Sequence, residues 1–174
     1  MSSRIRIRRM KIQREAEGYL ELGMAERALG SLKRLGGPAE FDVHSLYLWG
    51  EALRDLRRYD EAVEPLARAA EADPENIHIW LALGWCRKRN GQLDEAIHAL
   101  EEALTADPDE PLLHYNLACY WSLAGNKDRA LGYLGQALEI NPRYRRLVDE
   151  EPDFDPLRHD PDFRAVVEGE PVSE

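Results

Sequence analysis

Cysteine is scarce in this sequence, with two residues, Cys86 and Cys119, in 174. Two thiols make neither a disulfide framework nor a zinc cluster. Each stands among apolar neighbours in a helical pattern, which reads as a buried free thiol. Long apolar runs are missing too: nothing approaches the ~20 residues that span a bilayer. The start, Met-Ser-Ser-Arg-Ile-Arg-Ile-Arg-Arg, is basic but lacks the apolar core and cleavage site of a signal peptide, so a mature cytoplasmic start is expected. Positive charge is in deficit, with 23 Lys and Arg against 33 Asp and Glu. A net charge of −10 repels phosphates over most of the surface and argues against broad nucleic-acid binding. No Gly-rich phosphate loop and no Gly-x-Ser-x-Gly elbow occurs.

What the chain does have is a period. Ala28, Ala62, Ala96 and Ala130 are evenly spaced, and Leu32, Leu66, Leu100 and Leu134 keep the same step. Asp60, Asp94 and Asp128 share it, and so do Pro74, Pro108 and Pro142. Small residues recur in register at Ala16, Gly50, Gly84 and Ala118. Several residue types locked to one period define four units without insertions, 9–42, 43–76, 77–110 and 111–144.

Helical spacing runs through each unit. Leu81, Leu83 and Gly84, then Leu93, Ala96, Ile97 and Leu100, put one apolar stripe on each of two helices. The small residues let the two helices approach closely. Asp60, Asp94 and Asp128 stand where the second helix begins and are expected to cap it. Turns with Gly91 and Gly125 close the first helices, and Asp73-Pro74, Asp107-Pro108 and Asn141-Pro142 stop the second ones. Pro65 falls inside a second helix, near its start, where a slight bend and no break is expected. A lone helix pair cannot bury its stripe; stacked pairs share a continuous core.

Each unit resembles a tetratricopeptide repeat (TPR), whose pattern W-x2-L-G-x2-Y…A-x3-F…P reads here as Trp80-x2-Leu83-Gly84…Ala96-x3-Leu100…Pro108, with Arg87 at the tyrosine position. The second unit gives Leu46-x2-Trp49-Gly50-x2-Leu53…Ala62-x3-Leu66…Pro74. The fourth gives His114-x2-Leu117-Ala118-x2-Trp121…Ala130-x3-Leu134…Pro142. The first matches least, with Glu15 at an apolar position and Glu40 where the proline would stand. The resemblance covers roughly residues 9–144. It implies an all-α fold, a right-handed superhelix (α-solenoid) of about four helix-turn-helix repeats with a C-terminal capping helix.

The segment Asp153–Phe163 resembles an end-of-array extension of bacterial TPR stacks, D-x-D-F-x-x-L-R-x-D-P-x-F, and departs from it at the opening. Phe154, Leu157, Phe163 and Val166 are expected against the last helix. The domain reading is a basic arm over 1–8, the four units over 9–144, a cap over 145–168 and a disordered tail over 169–174. The arm, Arg4-Ile5-Arg6-Ile7-Arg8, reads either as a frayed helix extension with solvated arginines or as a reach toward an acidic partner. Head-to-tail contact with another copy's acidic tail is a third reading.

In the family the first helices of successive units line a concave groove. The resemblance places His44, Tyr47, Glu51, Arg54 and Asp55 there from the second unit. It adds His78, Leu81, Trp85, Lys88 and Arg89 from the third, and Leu112, Tyr115, Asn116, Cys119 and Ser122 from the fourth. Tyr47, Trp85 and Tyr115 then form an aromatic line, with Arg54, Lys88 and Arg89 as a basic flank. Aromatics and arginine are the residues that most often carry binding energy. The bland alternative for Trp85 is packing against a neighbouring helix. The implied partner is a protein or peptide with acidic and apolar residues, and the implied role is an adaptor or scaffold. The alternative is a small acidic TPR chaperone of the type III secretion translocator kind. The lysine-asparagine clamp of chaperone-tail binders is absent, since only Asn116 fits it.

No catalytic, cofactor-binding or metal site is expected. His44 and His78 lie one repeat apart without a defined third ligand, and His98, His114 and His159 lack ligand spacing. Pairing any two of the many carboxylates as acid and base would be arbitrary.

Overall fold

Helix boundaries in a computed structural model of the chain, which describes residues 3–169, follow the period of the sequence. The chain opens with α1 (Ser3–Glu21) and α2 (Ala25–Leu32), then runs through α3 (Val43–Asp55), α4 (Tyr59–Ala72) and α5 (Ile77–Arg89). Helices α6 (Leu93–Ala106), α7 (Pro111–Leu123) and α8 (Lys127–Ile140) follow, and two short ones, α9 (Arg145–Val148) and α10 (Pro161–Glu168), close it. Helices α3, α5 and α7 keep the step of the sequence period at both their starts and their ends, and α4, α6 and α8 do the same. The fold is all-helical, with no strand among the described residues. Two units are distinguished by their contacts, Met1–Gly91 and Gln92–Glu174.

In the first unit α1 packs on α2, α3 on α4, and α4 on α5. The small positions make this possible. Ala16, Ala28, Ala62 and Leu66 are fully buried, and a Cβ built on Gly50 would overlap the Leu66 side chain. Pro65 is buried, and α4 runs unbroken through it. Helix α2 stops early because a 3-10 turn, Lys33–Leu35, leads into Gly36 at φ 110° and the Gly37-Pro38 step. Glu15, at an apolar position of the pattern, instead accepts hydrogen bonds from Arg34 (2.7 Å) and Ser31 (3.1 Å). Those two bonds hold its carboxyl below the usual range.

In the second unit α6 packs on α7 and α7 on α8. Ala118, Ala130, Leu134 and Ala137 fill the α7–α8 contact at 1% exposure or less. The chain after Pro142 folds back: the Pro152–Phe154 turn lies on α7 and α10 lies on α8. Phe154, Leu157 and Phe163 are buried there, and Val166 is half-buried. Lys127 at the start of α8 pairs with Asp160 (2.7 Å) and Asp162 (2.6 Å), which ties down α10. Residues 170–174 of the expected tail lie outside the described residues.

The helix starts differ from expectation in one respect. Asp60, Asp94 and Asp128 stand at the second helical position, already past the cap. Their carboxylates favour the positive end of the helix dipole instead. Helices α4 and α6 have no side-chain cap, and capping side chains stand at the starts of α3, α7 and α8. Asp42 accepts from Ser45 N (3.0 Å), Glu110 from Leu112 N (2.9 Å) and Asn126 from Arg129 N (3.1 Å). Asp42 also accepts from Gln13 Nε2 (2.9 Å) and pairs with Arg9 (3.1 Å), which joins α1 to the start of α3.

A second tie repeats with the period. Trp80 Nε1 donates to the Pro74 carbonyl at 2.9 Å, and one repeat later His114 Nε2 meets the Pro108 carbonyl at 2.6 Å. Two different rings thus hold the proline turn against the next helix. The turns after the first helices share one backbone form, with φ of 68° at Gly23, 59° at Arg57 and 75° at both Gly91 and Gly125. Arg57 is the non-glycine member, in a region that disfavours a Cβ.

Two outcomes follow for chemical denaturation. Gly50→Ala should lose about 1–3 kcal/mol, because the added methyl meets Leu66 in a closed contact. Arg57→Gly should gain about 0.5–1 kcal/mol by relieving the left-handed residue.

Candidate functional site

The period places the last turns of α3 and α5 side by side with the first residue of α4 in the first unit. There the side chains of Glu51, Arg54, Tyr59, Trp85 and Arg89 form one cluster. Trp85 is the most exposed aromatic among the described residues, at 36%. Its ring takes the edge of Tyr59 at 5.2 Å between centroids and 78° between planes. The Arg89 guanidinium lies 5.6 Å from the Trp85 ring and 5.7 Å from that of Tyr59, and Arg54 lies 6.0 Å from Trp85. Cations over aromatic faces are attracted by the ring quadrupole.

Beneath this surface the groups are half-buried or buried. Arg54 Nη1 pairs with Glu51 Oε1 at 2.8 Å, and the Glu51 side chain is only 15% exposed. Burial raises the Glu51 carboxyl above its ordinary range, against the opposing charge of Arg54. Burial, then the Glu51 charge, pushes the Tyr47 phenol up to about 12. Cys86 is buried as a free thiol, and burial pushes it up to about 12, so it is no thiolate nucleophile at neutral pH. The cluster therefore presents an apolar ring and two guanidiniums outward, over a carboxylate paired with Arg54.

Other residues of the expected groove are spread more widely. His44 is exposed and meets Glu17 of α1 at 2.7 Å. His78 is exposed at the rim of a shallow depression with Asp73, Glu75, Asn76 and Ile77. Leu81 and Lys88 are half-buried on α5, and Asp55 accepts from Arg54 at 3.4 Å. In the second unit Tyr115 departs from the aromatic line expected of it. It is 6% exposed, because the C-terminal chain covers it: the Tyr144 ring lies 5.0 Å and the Phe154 ring 5.8 Å away. Cys119 and Ser122 are buried as well, while Leu112 is exposed and Asn116 spends its amide on the Leu112 carbonyl at 2.8 Å.

Tyr59 is the member of the cluster that sequence reasoning did not reach. It opens a second helix, whereas the groove is read from first helices alone. The signal available was its place directly after the turn, at the end of the helix that carries Arg54. No group of three or more His, Cys, Asp or Glu side chains placed to hold a metal occurs among the described residues. Among the same residues no helix is long and apolar enough to cross a membrane.

The Tyr47 phenol gives a pH test. Its pKa is raised above the unfolded value of about 10, so its contribution to stability is complete below pH ~10 and is lost as pH rises toward ~12. Tyrosinate absorbance should show an ionisation near pH 12, or coincident with unfolding, that disappears in Tyr47→Phe.

Comparison with known proteins agrees with this architecture. The family model described as tetratricopeptide repeat matches residues 47–111 and 87–145, more than half of the chain. A solved structure of MamA (AMB-1) is 28% identical over 73% of this chain and 69% of its own, with a TM-score of 0.66. YrrB, described as a TPR protein with an unusual peptide-binding site, is 25% identical over 73% of this chain and 66% of its own, also at 0.66. The type III secretion chaperone SycD of Yersinia enterocolitica, solved with a peptide of the translocator YopD, is 22% identical over 73% and 90% of the two chains, with a TM-score of 0.58. The SycD likeness is one of fold. None of the curated proteins matches the sequence. With four in-phase repeats, helices that follow the period and a matching family model, the chain belongs to the tetratricopeptide-repeat family.

Proposed function

We propose that this chain is a protein-interaction adaptor that holds a segment of a partner protein on the Trp85 surface of its first unit. The observation that carries the reading is an exposed tryptophan, braced by Tyr59 and flanked by Arg54 and Arg89. A tryptophan pre-positioned in this way offers area at little entropic cost, and tryptophan and arginine are enriched among residues that dominate binding. Apolar side chains of the partner would lie on the Trp85 ring, and its carboxylates would meet the two guanidiniums. Leu81 and His78, on the same helix, extend the surface toward the start of α5. YrrB, with its peptide-binding site, and SycD, solved with a translocator peptide, support a peptide ligand. The free buried cysteines support a reducing, cytoplasmic setting.

The role is one of binding, with no reaction assigned. TPR proteins generally act as interaction modules, and the cluster offers no nucleophile paired with a base.

Affinity capture from the source lysate, followed by titration calorimetry with the captured segment, tests the proposal. Trp85→Ala should weaken binding roughly 30-fold or more, the scale of a ~2 kcal/mol contact. Arg89→Glu should weaken it further at low salt than at high salt. Arg54 is best left intact, since its removal strands the buried Glu51 carboxylate and destabilises the fold. Unchanged affinity in both variants, with circular dichroism unaltered, refutes the Trp85 surface as the binding site.

A further inference from the structure

Helix α1 begins at Ser3, well ahead of Arg9, where one repeat back from the start of α3 would place it. That extension lies where the chain concentrates its positive charge. Arg4, Arg6, Arg8, Arg9, Lys11 and Arg14 precede the first acidic residue, Glu15. Arg9 is paired with Asp42 and Arg8 donates to the Arg34 carbonyl at 3.2 Å. Arg4, Arg6, Lys11 and Arg14 are exposed and have no carboxylate partner among the described residues. Arg4, Arg8, Lys11 and Arg34 line an open cleft of about 310 Å³ beside Ile7 and Ile12. Arg34 is committed there to Glu15 at 2.7 Å, which leaves Arg4 and Lys11 as its open cations.

Apolar side chains are interleaved with these cations. Ile5 stands two turns before Ile12 and continues the core-facing stripe of α1, yet Ile12 is 1% exposed and Ile5 53%. Ile7 and Met10, three residues apart and so on one face, are 50% and 45% exposed. At 3.6 residues per turn, Arg6 stands on one flank of the Ile7–Met10 strip and Arg4 and Lys11 on the other. Ile5 and Ile7 are two residues apart, about 200° around the helix, and so point to nearly opposite sides.

The occupant must therefore carry negative charge and cover apolar groups on two sides of one helix. A groove in a folded acidic partner covers one side and leaves the other in water. Nucleic acid supplies the charge but has no use for the isoleucines. The first aromatic of the chain is Tyr19, so no stacking platform accompanies the cations, and the amide of Gln13 is spent on Asp42 and Ser45. A lipid surface closes around the helix on both sides, takes up the aliphatic side chains and meets the cations with its headgroup phosphates. We infer that the first three turns of α1 are an attachment site for an anionic lipid surface. Ile5, Ile7 and Met10 enter the boundary between headgroups and acyl chains, and Arg4, Arg6 and Lys11 lie among the phosphates. The acidic remainder of the chain is repelled by the same surface, which confines the contact to this extension. The attachment uses none of the residues of the Trp85 cluster and stands independently of the binding role proposed for them.

Flotation of the full chain with vesicles tests this. The wild type should float with vesicles of phosphatidylcholine and phosphatidylglycerol in equal parts and stay behind with phosphatidylcholine alone. Binding should fall steeply in ~1 M salt, where the Debye length is about 3 Å. Arg4→Gln/Lys11→Gln should weaken it roughly 25-fold, at about fivefold for each cation. Ile5→Ser/Ile7→Ser, which keeps every cation, should weaken it roughly tenfold or more. Trp85→Ala should float like the wild type, and each variant should keep the wild-type circular dichroism. A wild type that fails to float with the mixed vesicles at low salt overturns the proposal, and so does equal flotation with phosphatidylcholine alone. Flotation that survives the serine exchange overturns insertion of the isoleucines. Capture of duplex DNA or of polyglutamate by a chain that binds no vesicles gives the extension to another ligand and equally overturns it.

Discussion

The contact between Gly50 of α3 and Leu66 of α4 sets the distance on which the rest of the first unit depends. With no Cβ at Gly50, the leucine side chain fills the space that a larger residue would occupy. The two helices then lie close enough for a single layer of Ala52, Leu53, Ala62 and Ala69 to close the core between them. Burial of apolar area, at about 25 cal/mol per Å², is what such a layer contributes, and a wider gap would forfeit its dispersion contacts. Ala16 and Ala28 do the same for the first pair, and Ala118 and Ala130 for the α7–α8 pair.

This spacing also determines the character of the Trp85 surface. Because α3 and α4 sit close and α5 packs on α4, the ends of α3 and α5 and the start of α4 bring Arg54, Trp85 and Tyr59 together. The pairing of Arg54 with Glu51 costs the desolvation of a carboxylate, which is visible in the raised carboxyl of Glu51. In return the guanidinium is held in place beside the tryptophan. A surface held by packing and one buried ion pair needs little reordering when a ligand arrives.

The ends of the chain obey different rules from the interior repeats. An interior helix has neighbours on both sides, so its stripe is covered by repetition. An end helix needs another solution. At the carboxyl end Phe154, Phe163 and the Lys127 pairs with Asp160 and Asp162 supply it within the chain. At the amino end α1 runs on past α2, which stops at Leu32, and its apolar residues stay in water between arginines.

Period, helix lengths and the identity of the close-packed positions were determined by the sequence alone. They are local properties: a stripe every three to four residues, a small residue where two helices touch, and a proline where one must stop. The exposure of Trp85 was half legible, since its position pointed outward but its brace, Tyr59, sits on an element the pattern does not assign to the groove. Tertiary structure alone decided the burial of Tyr115, because the covering rings of Tyr144 and Phe154 come from the segment after α8, far along the chain from α7. It also decided that Asp42, unlike the periodic aspartates, caps a helix, since a small change of register moves a carboxylate from the cap into the first turn. Arg57 in a left-handed turn belongs with these: the turn geometry is dictated by the helices it joins, whatever residue the sequence places there.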